Sequence, residues 1–172
     1  AGGFEGPQGF SPISGDAPVD ALFRQTGVIR AETLDEMFDL AAALERQPLP
    51  PGRRVAILSD GGGPGLLCAD ACRAARLSVP PLSDSTKERL AAFLPPSTTI
   101  GNPLELFFAS SEGPYAKAVE TLLLASEVDA LIAIHTPLDA NGSAVMLEAI
   151  RRGTAAGRTA GAAGKPVVAC LL

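Results

Sequence analysis

Residues 59–65 read Ser-Asp-Gly-Gly-Gly-Pro-Gly, between an apolar run, RVAIL, and a run rich in small residues, LLCADACRAA. Glycines at a strand-to-helix junction leave backbone N–H groups uncovered at the helix start, where the helix dipole favours negative charge. The chemistry open to this spacing is the binding of a phosphate or another anion by Gly61, Gly62, Gly63 and Gly65, with Asp60 leading the loop. Glycine lets a ligand approach the backbone closely. Pro64 suits the first helical position, where a missing N–H costs nothing. No Lys-Ser/Thr follows, so this is not a Walker A loop. Leu66 stands where a dinucleotide fingerprint needs its third glycine. A tight strand-to-helix turn beneath a close-packed helix is the other reading the stretch allows.

A second candidate is IGNPLEL, residues 100–106. Asn102 precedes Pro103 and is held extended, so its side chain projects from a loop; Glu105 follows two residues after the proline. An ordinary loop turn accounts for the same residues. His135, the sole histidine, ends an apolar run at the edge of a sheet where ligands bind. It reads either as a general base or as a hydrogen-bonded structural side chain, and no Asp or Cys partner adjoins it in sequence. No Ser-His-Asp set is legible, so no catalytic residue is assigned. Cys68 and Cys72 lie one helical turn apart and Cys170 is remote. They form neither a disulfide framework nor a metal site, and reduced thiols of a cytoplasmic protein are expected.

These residues need a scaffold, and the chain supplies one by alternation. Residues 1–15 are rich in Gly, Pro and Ser and read as a tail or linker. Asp16 is placed to cap a helix that stops at Gly27. Thr33 and Glu36 form a capping box, and Leu34, Met37, Phe38, Ala41 and Leu44 repeat at the helical period. Pro48, Pro50 and Pro51 end that helix, so 16–51 reads as a helical linker and 52–172 as a separate α/β domain. In that domain the spacing predicts strands over 54–59, 130–135 and 166–172. It predicts helices over 64–76, 83–94, 113–126 and 141–152, with Ser85 and Glu88 as a possible capping box. Residues 77–79 read as a short extended piece, 95–106 as irregular, and 154–164 as a Gly/Ala-rich turn. Short apolar strands alternating with helices predict a doubly wound parallel sheet. At 172 residues and 47% hydrophobic, the chain can bury a core. A net charge of −5 with scattered basic residues argues against nucleic acid and anionic membranes as partners. No apolar run approaches the ~20 residues that span a bilayer.

Three segments in this order, DALFRQTGVIRAETLDEMFDLAAAL, GRRVAILSDGGGPGLLCADAC and LPPSTTIGNPLEL, resemble the ADP-forming acyl-CoA synthetases of the succinyl-CoA synthetase superfamily. The resemblance runs from Asp16 to Leu172 and implies the second flavodoxin-like domain of the family, a three-layer α/β/α unit of about four strands, with its helical linker. It implies a parent with a CoA-binding Rossmann domain and an ATP-grasp domain or subunit as partners. CoA, ATP/ADP and Mg would be the parent's cofactors, with none bound by this fragment. The implied reaction turns acyl-CoA, ADP and phosphate into acid, CoA and ATP through a phosphohistidine. Gly62, Gly63 and Gly65 would then hold the phosphoryl group through N–H groups, and Asn102 would line the same region.

The departures from the family pattern carry information too. The family's Ser-His-Thr-Gly segment corresponds here to QGFSPISG, which has no histidine. The fragment alone is therefore not expected to turn over. Asp60 replaces the usual Asn, and a carboxylate beside phosphate is repulsive unless protonated or metal-bound. Glu105 and Phe107 replace the usual Asp and Thr. Together these changes imply an alternative: a catalytically silent ligand sensor, like the synthetase-like regions fused to protein lysine acetyltransferases.

Overall fold

The structure, a computed structural model, describes residues 16–106, 112–137 and 142–172. The chain divides into two compact units at the Ala42/Ala43 boundary. The first holds α1 (Asp16–Thr26) and most of α2 (Leu34–Arg46). Gly27, at φ +75°, follows α1 in a conformation L side chains rarely adopt. The expected cap of α2 is present: Thr33 Oγ1 accepts from Glu36 N at 3.1 Å, and Glu36 reaches back to Glu32 N at 2.7 Å. The predicted tail at 1–15 lies outside the described residues.

The second unit is an α/β layer structure with a four-stranded, all-parallel sheet, in the flavodoxin-like manner. Its strands are β1 (Val55–Ser59), β2 (Leu104–Glu105), β3 (Ala130–His135) and β4 (Val167–Leu171), in the order β2-β1-β3-β4. Its helices are α3 (Gly62–Ala74), α4 (Asp84–Ala91), α5 (Glu112–Leu123) and α6 (Gly142–Gly157). Alternation along β1 and β3 sorts the core. Ala56, Leu58, Leu131 and Ala133 pack with α4, α5 and α6; Val55, Ile57 and Ile134 pack with Ala69 and Cys72 of α3. The register pairs Ser59 with Ile134, so the ends of β1 and β3 lie side by side. Connections leave β1 toward β2 and leave β3 toward β4. That reversal is the topological switch point, outside which ligands bind in such sheets.

Several local expectations are corrected. Helix α3 starts at Gly62, not at Pro64, so Pro64 is its third residue; a proline is tolerated there because first-turn N–H groups have no helical acceptor. Helix α4 is capped by Ser83, which accepts from Thr86 N, rather than by a box at Ser85. The irregular stretch hides β2, whose two residues pair with Leu58 and Ser59. The predicted turn at 154–164 is instead the end of α6 and a π-helical turn, Arg158–Ala162, closed by Gly161 at φ +118°. Small residues in and just before this stretch serve packing: a Cβ on Gly153 would collide with the Ala116 carbonyl of α5, and one on Gly157 would sit 3.0 Å from Leu123 Cδ1.

The amino end of the sheet is held by charge. Buried Asp129 accepts from Arg54 N, Nε and Nη2 at 2.9, 2.9 and 2.7 Å. The Arg54 hydrogen bond holds the Asp129 carboxyl below its usual range. Glu127 accepts from Ser83 N at 2.7 Å ahead of α4. Burial pushes the Glu127 carboxyl up, but hydrogen bonds led by Ser83 N outweigh it and bring it down to about 2. A depressed carboxylate stabilises the fold above its unfolded value and stops doing so as pH falls through its folded one. Urea melts across acid pH should therefore show Glu127→Gln losing less stability than the parent chain between pH about 4.5 and about 2. An unchanged acid limb would contradict the Ser83–Glu127 anchor.

Candidate functional site

All five residues of β1 are buried, so every backbone group along it needs a partner. On the β3 side the parallel ladder supplies them. On the other side the neighbouring strand is broken. Val55 N donates to Ser78 O at 2.7 Å, and Ser59 O accepts from Leu106 N at 2.9 Å. Between these points the Asn102 amide stands in for backbone: Oδ1 accepts from Ile57 N, and Nδ2 donates to Val55 O, all at 2.9 Å. The second Nδ2 hydrogen goes to Pro80 O at 2.9 Å. Asn102 thus has both of its amide donors committed to the scaffold, and the Asn102–Pro103 bond is cis. The structure gives it the role of pairing the open edge of β1.

The loop itself is short. Ser59, fully buried, donates through Oγ to Gly61 O at 2.6 Å and accepts from Gly61 N at 3.2 Å. Gly61 is the extended cap of α3, without a side-chain cap. The N–H groups of Gly62 and Gly63 form no hydrogen bond with the described residues. The four glycines then differ in what requires them. A Cβ on Gly65 would press on Ser59 Cβ at 3.3 Å and Pro103 Cβ at 3.5 Å. One on Gly62 would meet the Glu105 oxygens at 3.0 and 3.1 Å, and one on Gly61 would lie 3.5 Å from Thr136 Oγ1. Gly63 meets nothing within 4 Å, and its φ is not positive.

Asp60 and His135 finish adjacent strands and pair with each other. The carboxylate only accepts, so the imidazole donates from Nδ1 to Asp60 Oδ2. Asp60 Oδ1 accepts from Thr136 N at 2.9 Å. Both side chains are 7% exposed. The loop before α3 is thereby tied to the end of β3. His135 Nε2 and Thr136 Oγ1 are buried without a partner among the described residues. Tyr115 of α5 donates to Ile134 O at 3.1 Å, and burial, aided by the Asp60 charge, pushes its phenol well above its ordinary value. Burial and neighbouring Cys72 push the Cys68 thiol up to about 11, away from nucleophilic use. No group of three or more His, Cys, Asp or Glu that could hold a metal ion occurs among the described residues.

The structure brings Asp60, Gly61, Gly62, Gly63, Glu105 and His135 to the carboxyl end of the sheet and leaves Asn102 one layer below. Sequence reasoning missed Thr136 and the partner of His135. The signal was present in part: two apolar strands end in Asp and His, and parallel pairing without a register slip sets those ends together. Asp60→Ala would leave the His135 ring and Thr136 N–H buried without their acceptor. Its expected cost in urea melts is about 3–5 kcal/mol. Combined with His135→Ala the loss should be less than the sum of the single losses; strict additivity would refute the coupling.

No protein-family model matches the chain. The chain is 42% identical over 115 residues to the alpha subunit of acetate–CoA ligase [ADP-forming] II of Pyrococcus furiosus, covering 67% of this chain and 25% of that protein. It is 30% identical over 125 residues to 4-hydroxybutyrate–CoA ligase [ADP-forming] of Nitrosopumilus maritimus, covering 73% and 18%. The chain thus spans about a quarter or less of these relatives. Among solved structures it resembles PH0766 from Pyrococcus horikoshii, with TM-score 0.79, 35% identity, and 92% of this chain and 36% of that one covered. The dinucleotide-forming acetyl-coenzyme A synthetase 1 of Ca. Korarchaeum cryptofilum, solved with phosphate and ADP, shares the fold at TM-score 0.74 and 22% identity, over 92% of this chain and 33% of that one.

Proposed function

The homologues of this chain are ADP-forming acyl-CoA synthetases, and we propose that it serves as the phosphoryl-holding subdomain of such a ligase. The parent reaction is the conversion of acyl-CoA, ADP and phosphate to acid, CoA and ATP. CoA and the nucleotide belong to neighbouring domains, a CoA-binding Rossmann domain and an ATP-grasp domain or subunit. The parent's magnesium is assigned to no residue of this chain. What the chain contributes is the amino terminus of α3.

The observation that carries this reading is Gly63. A glycine in a helix weakens it by about 0.5–1 kcal/mol relative to Ala, and neither packing nor backbone conformation requires one at this position. Its bare backbone keeps a space open beside the free N–H groups of Gly62 and Gly63. A moving phosphoryl group spreads negative charge over its oxygens, and fixed N–H donors stabilise that charge without reorganising. Asp60 adds less repulsion than its type suggests, since the His135 ring and Thr136 N–H occupy its oxygens. In this scheme Asp60, His135 and Asn102 position the loop and do not touch the phosphoryl group.

A second reading is a ligand-sensing region without turnover. One observation favours it: the Glu105 carboxylate stands against the same first turn of α3. Turnover separates the two. The complete protein containing this chain is incubated with ATP, CoA and short acids, and ADP and acyl-CoA are followed together. A ligase forms both, and Gly63→Val, whose side chain would fill the space beside the N–H groups and keep the phosphoryl group off them, lowers its kcat by about 100-fold or more, the cost typical of losing one oxyanion contact. The same substitution should change the stability of the chain by less than about 1 kcal/mol. An unchanged kcat in the variant overturns the role of the loop. Binding of acyl-CoA or nucleotide without turnover in the unmodified protein supports the sensor.

A further inference from the structure

The sequence of β4, VVACL, is wholly apolar, yet only Val167 of its five residues is buried. Strands that read as such apolar runs in all-parallel sheets are normally covered on both faces. In a parallel ladder alternate residues turn their backbone groups to the same neighbour. Pro166 O accepts from Leu131 N and Leu172 N donates to His135 O, so the even-numbered residues of β4 serve β3. The backbone groups of Val167, Ala169 and Leu171 therefore face the open edge. Gln47 Oε1 meets one of them, accepting from Val167 N at 3.2 Å. Ala169 and Leu171 have no backbone partner on that side among the described residues. Beside this edge, on the face that carries α6, a cavity of about 550 Å³ opens between Ile150, Arg151, Arg158, Val167 and Ala169. Arg151 is answered by Glu148, which accepts from Nε and Nη2 at 2.7 and 2.6 Å. Half-buried Arg158 is not answered by charge. Its Nη2 donates to the neutral Gln47 Oε1 at 2.7 Å, its Nε is buried without a partner, and no carboxylate pairs with it among the described residues. On the opposite face, Val168 and Cys170 are exposed.

We propose that the open edge of β4 docks an extended segment of the same parent protein, apolar on one face and carrying a carboxylate on the other. Such a segment joins the sheet through main-chain hydrogen bonds, and its alternate side chains fall on the two faces. One face covers Val168 and Cys170. The other enters the cavity and gives Arg158 the acceptor it lacks. A guanidinium drawn partly out of water is costly until an acceptor meets it, and a carboxylate matches its planar fork. The parent is the source argued by length, since this chain spans 25% of the Pyrococcus furiosus subunit and 36% of PH0766. Charge argues against a second copy of this chain. Two β4 edges paired together bring Arg158 no carboxylate from the strand, because residues 165–172 contain neither Asp nor Glu.

The test is amide hydrogen exchange on the complete protein, resolved residue by residue along β4. The alternation supplies an internal control. The Val168 and Cys170 N–H groups bond to β3 whatever covers the edge, whereas those of Ala169 and Leu171 are protected only by a docked strand. The expected result is exchange at Ala169 and Leu171 at least about 100-fold slower than that of unprotected amides. Unprotected exchange there overturns the proposal. So does protection that disappears on dilution as a dimer dissociates, because the occupant is then a second copy. Arg158→Met removes the charge and keeps an apolar stem, and Arg158→Lys keeps the charge. Exchange at Ala169 and Leu171 should rise at least about tenfold in Arg158→Met, and less in Arg158→Lys, with the Ile57 and Ile132 amides unchanged. Unchanged exchange in Arg158→Met overturns the carboxylate contact. A rise shared by Ile57 and Ile132 also overturns it, since Arg158 then supports the fold as a whole and not the edge.

Discussion

The burial of β1 is the constraint on which the rest depends. A strand with five buried residues has no water to satisfy its backbone. One side is met by the regular ladder with β3. The other is met by three unrelated pieces: Ser78, the Asn102 side chain, and the stretch from Leu104 to Leu106. Satisfying this edge fixes where the segment after α4 must run. It thereby fixes where Pro103 and Glu105 stand relative to α3. The glycine at 65 suits this arrangement, because a Cβ there would press on Ser59 Cβ at 3.3 Å.

The same register that satisfies β1 brings charge together at its far end. Asp60 and His135 come side by side because β1 and β3 pair without a slip. Isolated, a buried carboxylate at this place would be costly. Paired with an imidazole and a backbone N–H it becomes a tie between two loops. A mirror arrangement holds the opposite end of the sheet, where Asp129 at the start of β3 receives Arg54 at the start of β1. Each end of the central strand pair thus has one carboxylate whose position is set by groups from the other strand. The loop before α3 is held at its base by Ser59 and at its side by His135 and Thr136, while Asn102 holds the edge of β1 that leads into it. What is left over, Gly63 and the Glu105 tip, is what the scaffold does not need.

Much of this was legible in sequence because it is local. Apolar runs marked β1, β3 and β4, the Thr33–Glu36 box marked α2, and the glycines marked the junction before α3. These signals act over a few residues, through helical period, capping and φ/ψ freedom. The Gly/Ala-rich stretch 154–164, which reads as a turn, continues α6 for a related reason. Glycine and alanine mark turns when they serve the backbone, but at Gly153 and Gly157 they serve the contact between α5 and α6, and nothing local distinguishes the two uses.

By itself, then, the sequence determined the alternation of strands and helices, the glycine-rich junction between β1 and α3, and the kinship to ADP-forming acyl-CoA synthetases. Tertiary structure alone decided the partners. Asp60 and His135 are 75 residues apart, Asn102 and Ile57 are 45 apart, and Glu105 reaches Gly62 only across the β1–β2 pairing. A two-residue strand such as β2 carries too little periodicity to announce itself, and it exists because β1 offers unpaired groups. Local propensity chooses the elements. The obligation to pair buried polar groups chooses their neighbours, and here it placed one carboxylate in a tie and left another facing the helix terminus.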